Sequence, residues 1–200
     1  MVAVVKRNAT VVVTVCEQMR RQLAAYGFST RKLVPIYNGV NVERHADLAP
    51  GTLRVDAAIP ADATLVGMVA NVRECKGYEF FVQAAERVLA RFPETQFVAV
   101  GDIDCAVGAP ISKLVRERGL EERERFVGFR SDIPEVLADL DLFVLSSLSE
   151  GFPLVLLEAM ASRCAVVATQ YGGIGEMIED GGTGRLVPVA DATRLADAIL

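Results

Sequence analysis

Two acidic side chains frame an otherwise greasy segment. The run Glu150-Gly151-Phe152-Pro153-Leu154-Val155-Leu156-Leu157-Glu158 carries a carboxylate at each end, with seven residues between. Gly151 and Pro153 mark a loop giving way to a helix, and Pro153 suits the first helical position. Residues 154–161 are apolar on nearly every side, so this helix is expected to be buried. An ionised carboxylate within it is costly unless something pairs with it or hydrogen-bonds to it. Glu158 therefore asks for a ligand, and Glu150 at the helix mouth asks again. The blander alternative places Glu158 on a narrow wet stripe and leaves Glu150 to complement the helix dipole.

A complementary pair of charges lies earlier in the chain. Arg73 and Lys76 occupy a loop that ends at Gly77, between an apolar run and a helical stretch. Two cations at a helix mouth suit a pyrophosphate group, because the helix N–H groups and dipole add to them. Arginine can also hold phosphate oxygens through two N–H groups at once. As solvated loop cations the two would need no such guest. Gly172-Gly173 follows a strand-like run and could let backbone approach a ligand. Gly181-Gly182-Thr183-Gly184 serves a turn, and Gly101-Asp102 ends another strand.

The elements that must position these residues alternate. Residues 11–15, 32–36, 65–71, 96–101, 125–129, 142–146, 165–169 and 184–187 read as strands. Residues 17–26, 78–91, 111–118, 133–138, 154–161, 174–179 and 192–200 read as helices. Residues 40–60 look irregular, with Pro50-Gly51 and Pro60 as breakers. Such alternation predicts an α/β fold, a doubly wound, Rossmann-like parallel sheet covered on both faces. Ligands of these sheets bind at the carboxyl ends of the strands. The loops at 71–77, 101–105, 128–131, 146–153 and 170–175 all follow strands and should crowd that edge.

Composition narrows the function classes. A chain of 200 residues, 52% of them hydrophobic, can bury a sizeable core. No apolar stretch approaches bilayer length, and the N-terminus lacks the basic-then-apolar order of a signal peptide. A formal charge of −5 removes any global basic field for nucleic acid or anionic lipid. Cys16, Cys75, Cys105 and Cys164 are scattered, so neither a zinc site nor a disulfide framework is expected, and a reducing cytoplasm suits them. The single histidine, His45, lies in a loop-like stretch and reads as a surface residue.

Taken together, these residues resemble the C-terminal half of a retaining glycosyltransferase of GT-B architecture, in the family designated GT4. The matching pieces are Asn38-Gly39-Val40, Lys76-Gly77, Val100-Gly101-Asp102, Val127-Gly128-Phe129, Ser146-Ser147-Leu148-Ser149-Glu150 through Glu158-Ala159-Met160, Gly172-Gly173, Glu176 and Gly181-Gly182-Thr183-Gly184. The paired glutamates are the most specific of them. The resemblance implies two doubly wound domains facing across a cleft. Residues 1–36 would be the end of the N-terminal domain, 37–62 a linker, and 63–200 the nucleotide-sugar-binding C-terminal domain, truncated at its end. Glu158 would bond the ribose hydroxyls, and Glu150 would touch the donor sugar as the catalytic carboxylate. Backbone N–H groups of Gly151, Phe152, Pro153 and Leu154 would meet the sugar or diphosphate, proline excepted for want of an N–H. Lys76 and Arg73 would neutralise the diphosphate, and Phe129 and Arg130 would lie near the base.

The family pattern has arginine where Asn71 stands, and Ile103 replaces the second glycine of its Gly-Asp-Gly-Pro turn. The implied reaction moves a hexosyl group from a nucleotide-diphosphate sugar to a hydroxyl acceptor, with no metal and no other cofactor. Asp102 and Asp104 have metal-like spacing, but their loop matches a family turn that binds none. The acceptor, a glycan, lipid or small molecule, would sit on the other domain, as would any association with the inner face of a membrane. This chain alone is then expected to bind donor without transferring sugar. Two other readings share the residues: a nucleotide-sugar epimerase of the same architecture, and a non-catalytic nucleotide-binding half-domain.

Overall fold

Valine-rich runs form the strands and amphipathic stretches the helices in the computed structural model of the chain, which describes residues 2–46, 48–49 and 51–200. In chain order the elements are α1 (Val2–Asn8), β1 (Val12–Thr14), α2 (Glu17–Ala25), β2 (Leu33–Pro35), α3 (Leu53–Asp56), β3 (Leu65–Val69), α4 (Tyr78–Leu89), β4 (Gln96–Val100), α5 (Gly108–Glu117), β5 (Glu124–Phe126), α6 (Ile133–Asp139), β6 (Leu142–Leu145), α7 (Leu154–Ala161), β7 (Ala165–Thr169), β8 (Arg185–Val187) and α8 (Ala192–Ile199). Short 3-10 turns occupy Val42–Arg44, Glu74–Lys76 and Gly172–Glu176, among others.

Strands β3 to β8 make one six-stranded sheet in the order β5-β4-β3-β6-β7-β8, parallel throughout. Successive side chains of a strand face opposite sides, and the core divides accordingly. Val66, Met68, Phe97, Ala99, Val144 and Val167 join one apolar layer with α4, α5 and α8. Leu65, Val69, Val98, Val100, Phe143, Leu145, Val166 and Ala168 join the other, with α6 and α7. Burial on both faces explains why these strands read as continuous apolar runs rather than alternating ones. The fold is the expected Rossmann-like α/β sheet.

β1 and β2 pair in parallel as a separate two-stranded sheet. The stretch after them is more ordered than its composition suggested. Leu53, Ala57 and Ile59 are buried in the second layer. The Asp139 carboxylate accepts the backbone N–H of Leu53 at 2.9 Å, and Arg54 reaches Asp141 at 2.9 Å. Pro50 of the expected Pro50-Gly51 breaker lies outside the described residues.

Several elements differ from the sequence reading. β5 ends at Phe126 rather than at 129, because Gly128 takes a left-handed conformation (φ +73°) that ends regular pairing. The helix expected over 174–179 is a 3-10 turn over Gly172–Glu176, where three glycines weaken helical propensity. α1 was not foreseen. His45 is buried, not superficial: it is 7% exposed, with Nδ1 3.1 Å from the Ser162 hydroxyl.

Glu124 opens the edge strand β5 in register with the buried Phe97. It is 3% exposed, and neither carboxylate oxygen has a partner among the described residues. Burial pushes its pKa up to about 8. An unfolded glutamate titrates near about 4.3. Between those values the folded chain keeps a proton that the unfolded chain releases, so stability falls as pH rises through that window. Glu124→Gln, a neutral isostere, should melt higher than the wild type at pH 8 and about level with it at pH 5. Parallel melting curves across that range would refute a neutral Glu124.

Candidate active site

The site lies where the sheet order reverses. From β3 the chain winds outward through β4 and β5, and from β6 it winds the other way through β7 and β8. β3 and β6 are neighbours, so the loops at their carboxyl ends part and leave a crevice between them. These loops are 70–77 and 146–153.

Hydrogen bonds pin the two loops together. The Leu148 N–H donates to the Cys75 carbonyl at 2.8 Å. Ser146 Oγ lies 3.1 and 3.0 Å from the carbonyl oxygens of Lys76 and Gly77. Gly77 is left-handed (φ +62°), and a Cβ there would stand 2.3 Å from the Ser146 carbonyl oxygen, so only glycine fits.

This junction brings the predicted lysine and the first glutamate into contact. Lys76 Nζ donates to Glu150 Oε1 at 2.5 Å, and the Ser147 hydroxyl donates to the same oxygen at 2.7 Å. The lysine side chain is 19% exposed and the glutamate 9%. Glu150's partner is thus, in this state, part of the chain itself. Lys76 and Glu158 both line a cleft of about 550 Å³. Val69, Ala70, Asn71 and Gly101 line it from β3 and β4, Phe129, Arg130 and Ser131 from the loop after β5, and Leu154 and Val155 from the first turn of α7. The first N–H groups of a helix have no intrahelical partners and carry positive potential. The cleft therefore combines a cation, a helix N-terminus and a carboxylate about one turn further along that helix.

Some expectations need correction. α7 is only half-buried: among its residues Leu156 and Ala159 are fully buried, while Glu158 is half-buried and Leu154 is exposed. One flank of the helix, with Leu154 and Val155, is the cleft wall. Pro153 is the N-cap of α7, one position before the first helical residue (ψ 118°). Arg73 is exposed and outside the cleft lining. The 3-10 turn starting just after it carries Lys76 inward, and Asn71 occupies the wall.

Arg130 reaches the cleft but is no free cation. Its guanidinium donates to both oxygens of Asp132 at 2.9 and 2.5 Å, to Asp56 at 2.7 Å and to the Thr52 hydroxyl at 3.0 Å. Those carboxylates raise its already high pKa, and Arg130 in turn holds Asp132 below the usual carboxylate range. Phe129 is 77% exposed on the cleft rim. The Gly172-Gly173 pair does allow a close backbone approach, but to the chain itself: Gly173 N–H donates to the Gly151 carbonyl at 2.7 Å. A Cβ on Gly172 (φ +58°) would lie 2.0 Å from the Glu150 carbonyl oxygen.

Sequence reasoning missed the supports of the site. Ser147 anchors Glu150, and Thr52 and Asp56 hold Arg130 from a segment read as linker. Tyr37 stacks edge-on against Phe152, with centroids 5.4 Å apart, and Asn38 Nδ2 donates to the Phe152 carbonyl at 3.2 Å. Of these two, only Asn38 had drawn notice, within the Asn38-Gly39-Val40 piece of the resemblance and with no role assigned.

The Lys76–Glu150 pair yields a test. Removing one partner strands a largely desolvated charge, whereas removing both does not. Lys76→Met and Glu150→Gln should each destabilise the chain by about 1–3 kcal/mol, and the double variant should cost less than the sum of the two. A thermodynamic cycle from denaturant melts reads the coupling. Simple additivity would mean that the contact contributes nothing to the folded chain.

Comparison with known proteins follows this geometry closely. The sequence model described as "Glycosyl transferases group 1" matches residues 63–200. Among curated relatives, the lipopolysaccharide core biosynthesis mannosyltransferase LpcC of Rhizobium leguminosarum bv. viciae is 40% identical over 138 residues, spanning 68% of this chain and 39% of that protein. N-acetyl-alpha-D-glucosaminyl L-malate synthase of Bacillus anthracis is 32% identical over 162 residues, spanning 81% and 42%. The chain thus spans less than half the length of these relatives. Among solved structures, Anabaena HepE in complex with UDP-glucose superposes with a TM-score of 0.91 at 27% identity, over 99% of this chain and 55% of that one. The C-terminal domain of a Francisella tularensis group 1 glycosyl transferase superposes with a TM-score of 0.69 at 33% identity, over 80% and 86%. The parallel sheet and its flanking helices are those of the C-terminal half of a GT-B enzyme, and the chain belongs to the glycosyl transferases of group 1.

Proposed function

We propose that this chain is the donor-binding part of a retaining, metal-independent GT4 hexosyltransferase working in the cytoplasm. Residues 63–200 grip the nucleotide sugar, residues 1–36 belong to the side of the cleft that faces the acceptor, and residues 37–62 link the two. The carrying observation is the convergence of Lys76, Glu158 and the α7 N-terminus on one cleft. A nucleotide-diphosphate sugar presents what such a cleft complements. Glu158 accepts from ribose hydroxyls, as a half-buried carboxylate can. The diphosphate faces Lys76 and the α7 N-terminus, the N–H groups of Gly151, Phe152 and Leu154 included. Phe129 lies against the base, and Arg130 shapes that wall from its ion-paired position.

Charge develops on the diphosphate as the glycosidic bond breaks. Lys76 is placed to stabilise it, and groups that act on developing charge contribute most to rate. Glu150, relieved of Lys76 by the phosphates, faces the sugar as the catalytic carboxylate. The solved HepE complexes with UDP and UDP-glucose support a nucleotide-sugar donor by likeness. The acceptor meets the donor from the other side of the cleft, so this chain alone binds donor and does not transfer it. No observation favours the epimerase alternative.

Calorimetric titration with UDP and GDP tests the site. Wild-type chain should bind one of them, with a matching thermal shift; at ligand a hundredfold above Kd the stabilisation is about 2.7 kcal/mol. Lys76→Ala and Glu158→Ala should each weaken binding about tenfold or more, the scale of one lost charge-assisted hydrogen bond. Equal binding by all three proteins would end the assignment.

A further inference from the structure

Glu176 has no place in the cleft, yet its carboxylate is one of the most heavily used in the chain. Oε2 accepts the backbone N–H of Glu17 at 3.0 Å and the Tyr37 hydroxyl at 2.7 Å, and Oε1 accepts the backbone N–H of Gln18 at 2.7 Å. Glu17 and Gln18 open α2. A carboxylate at a helix N-terminus satisfies orphan N–H groups and complements the dipole. Here the cap comes from more than 150 residues away. Glu176 closes the Gly172–Glu176 turn on the six-stranded unit, so it ties that unit to the β1–α2–β2 unit and to the segment beginning at Tyr37.

The tie belongs to a closed ring of contacts around the loop that carries Glu150. The N-cap of α2, Cys16, is 1% exposed, and its thiol lies 3.8 Å from the Gly151 carbonyl oxygen. The same carbonyl accepts from Gly173, in the turn that ends at Glu176. Tyr37, held through its hydroxyl by Glu176, packs its ring against Phe152, and its neighbour Asn38 bonds the Phe152 carbonyl. Gly151 and Phe152 are therefore clamped from both units, and the hydrogen-bonded Glu176 carboxylate is the link that closes the clamp. The adjoining residue is Glu150, held by Lys76 and Ser147. Glu158 lies about one turn down α7, beyond Pro153.

We propose that Glu176 is a positioning residue that couples the seating of the β1–α2–β2 unit to the Glu150–Phe152 loop, so that recognition of the donor sugar, rather than of the nucleotide, depends on it. The proposal rests on the donor-site reading above and deepens it. It also gives a physical route by which the acceptor side of the cleft adjusts the sugar end of the donor site, through α2 and Tyr37. The nucleotide end, built on Glu158 and the loop after β5, lies outside this ring.

Two measurements on the chain and its Glu176→Ala, Glu176→Gln and Tyr37→Phe variants test it. The first is amide hydrogen exchange without ligand. Glu176→Ala should speed exchange at Glu17 and Gln18 and, with them, at Gly173, whose N–H reports attachment of the Gly151 loop. Amides of β3 and β4 should keep wild-type protection, showing that the core is folded. The second is titration with UDP and UDP-glucose, and with GDP and GDP-mannose. Nucleotide affinity should stay within about twofold of wild type, while Glu176→Ala should lose about tenfold for the matching nucleotide sugar. Tyr37→Phe, which removes one of three bonds, should lose less, and Glu176→Gln, which keeps an acceptor oxygen, should recover part of the loss. Faster exchange at Glu17 and Gln18 with Gly173 unchanged overturns the coupling, as does an unchanged preference for the sugar nucleotide. A wild type that binds none of the four ligands would instead overturn the donor-site reading, and the exchange at Gly173 would still decide the coupling.

Discussion

A lysine and a glutamate meet largely shielded from solvent, and the architecture around them serves that meeting. Lys76 and Glu150 lie 74 residues apart in sequence and 2.5 Å apart in space. Ion pairs at such low exposure survive only when further hydrogen bonds satisfy what the pair leaves open. Ser147 supplies one, and the bonds from Ser146 and Leu148 hold the two loops in register around it. Only adjacent β3 and β6, leaving the sheet at its point of reversal, bring these loops together with a gap between them. The six-stranded sheet, buried on both faces, supplies the rigidity that keeps the gap open.

The sheet was legible because both-faced burial writes itself into composition. Strands such as Leu65–Val69 and Gln96–Val100 are buried at every position, and no other arrangement tolerates five consecutive buried strand residues as readily. α7 and β7 fall at their expected bounds because Pro153 caps the first and a β-branched run fills the second. Where glycine governed, the reading slipped. Gly128 ended β5 early, and the glycines around Ile174 made a tight turn in place of a helix. Periodicity registers apolar spacing and is blind to a backbone set by close approach to another loop.

The site was legible in part for a similar reason. Residue type announces that a charge needs company, but it does not say whose. Glu150 was marked as a carboxylate asking for a ligand, and the structure gives it Lys76, itself marked for a different guest. Arg130 was marked as a residue near the base, and the structure places it on the cleft wall. Its charge is spent on Asp56 and Asp132, and the first of these lies in a segment whose composition spoke for a loose linker. His45 illustrates the same limit, since its burial against Ser162 depends on a fold that local composition cannot report. Long-range pairing is a property of topology, and single residues carry no trace of it.

The charge balance of the cleft follows from these pairings. Of the two cations on its wall among the described residues, Arg130 is already matched by two carboxylates, so Lys76 is the side-chain cation placed to answer an incoming anion. Lys76 in turn is held by Glu150. A dianionic guest must therefore draw Lys76 toward itself or share it, and either event loosens Glu150 from its only cationic partner among the described residues. Breaking a desolvated pair is unfavourable unless the freed carboxylate finds donors of its own. A guest that presents phosphate to the lysine and hydroxyls to the glutamate satisfies both halves of the exchange, whereas free phosphate satisfies one. On the donor-site reading, the ion pair would therefore favour ligands that join an anion to a polyol over free phosphate.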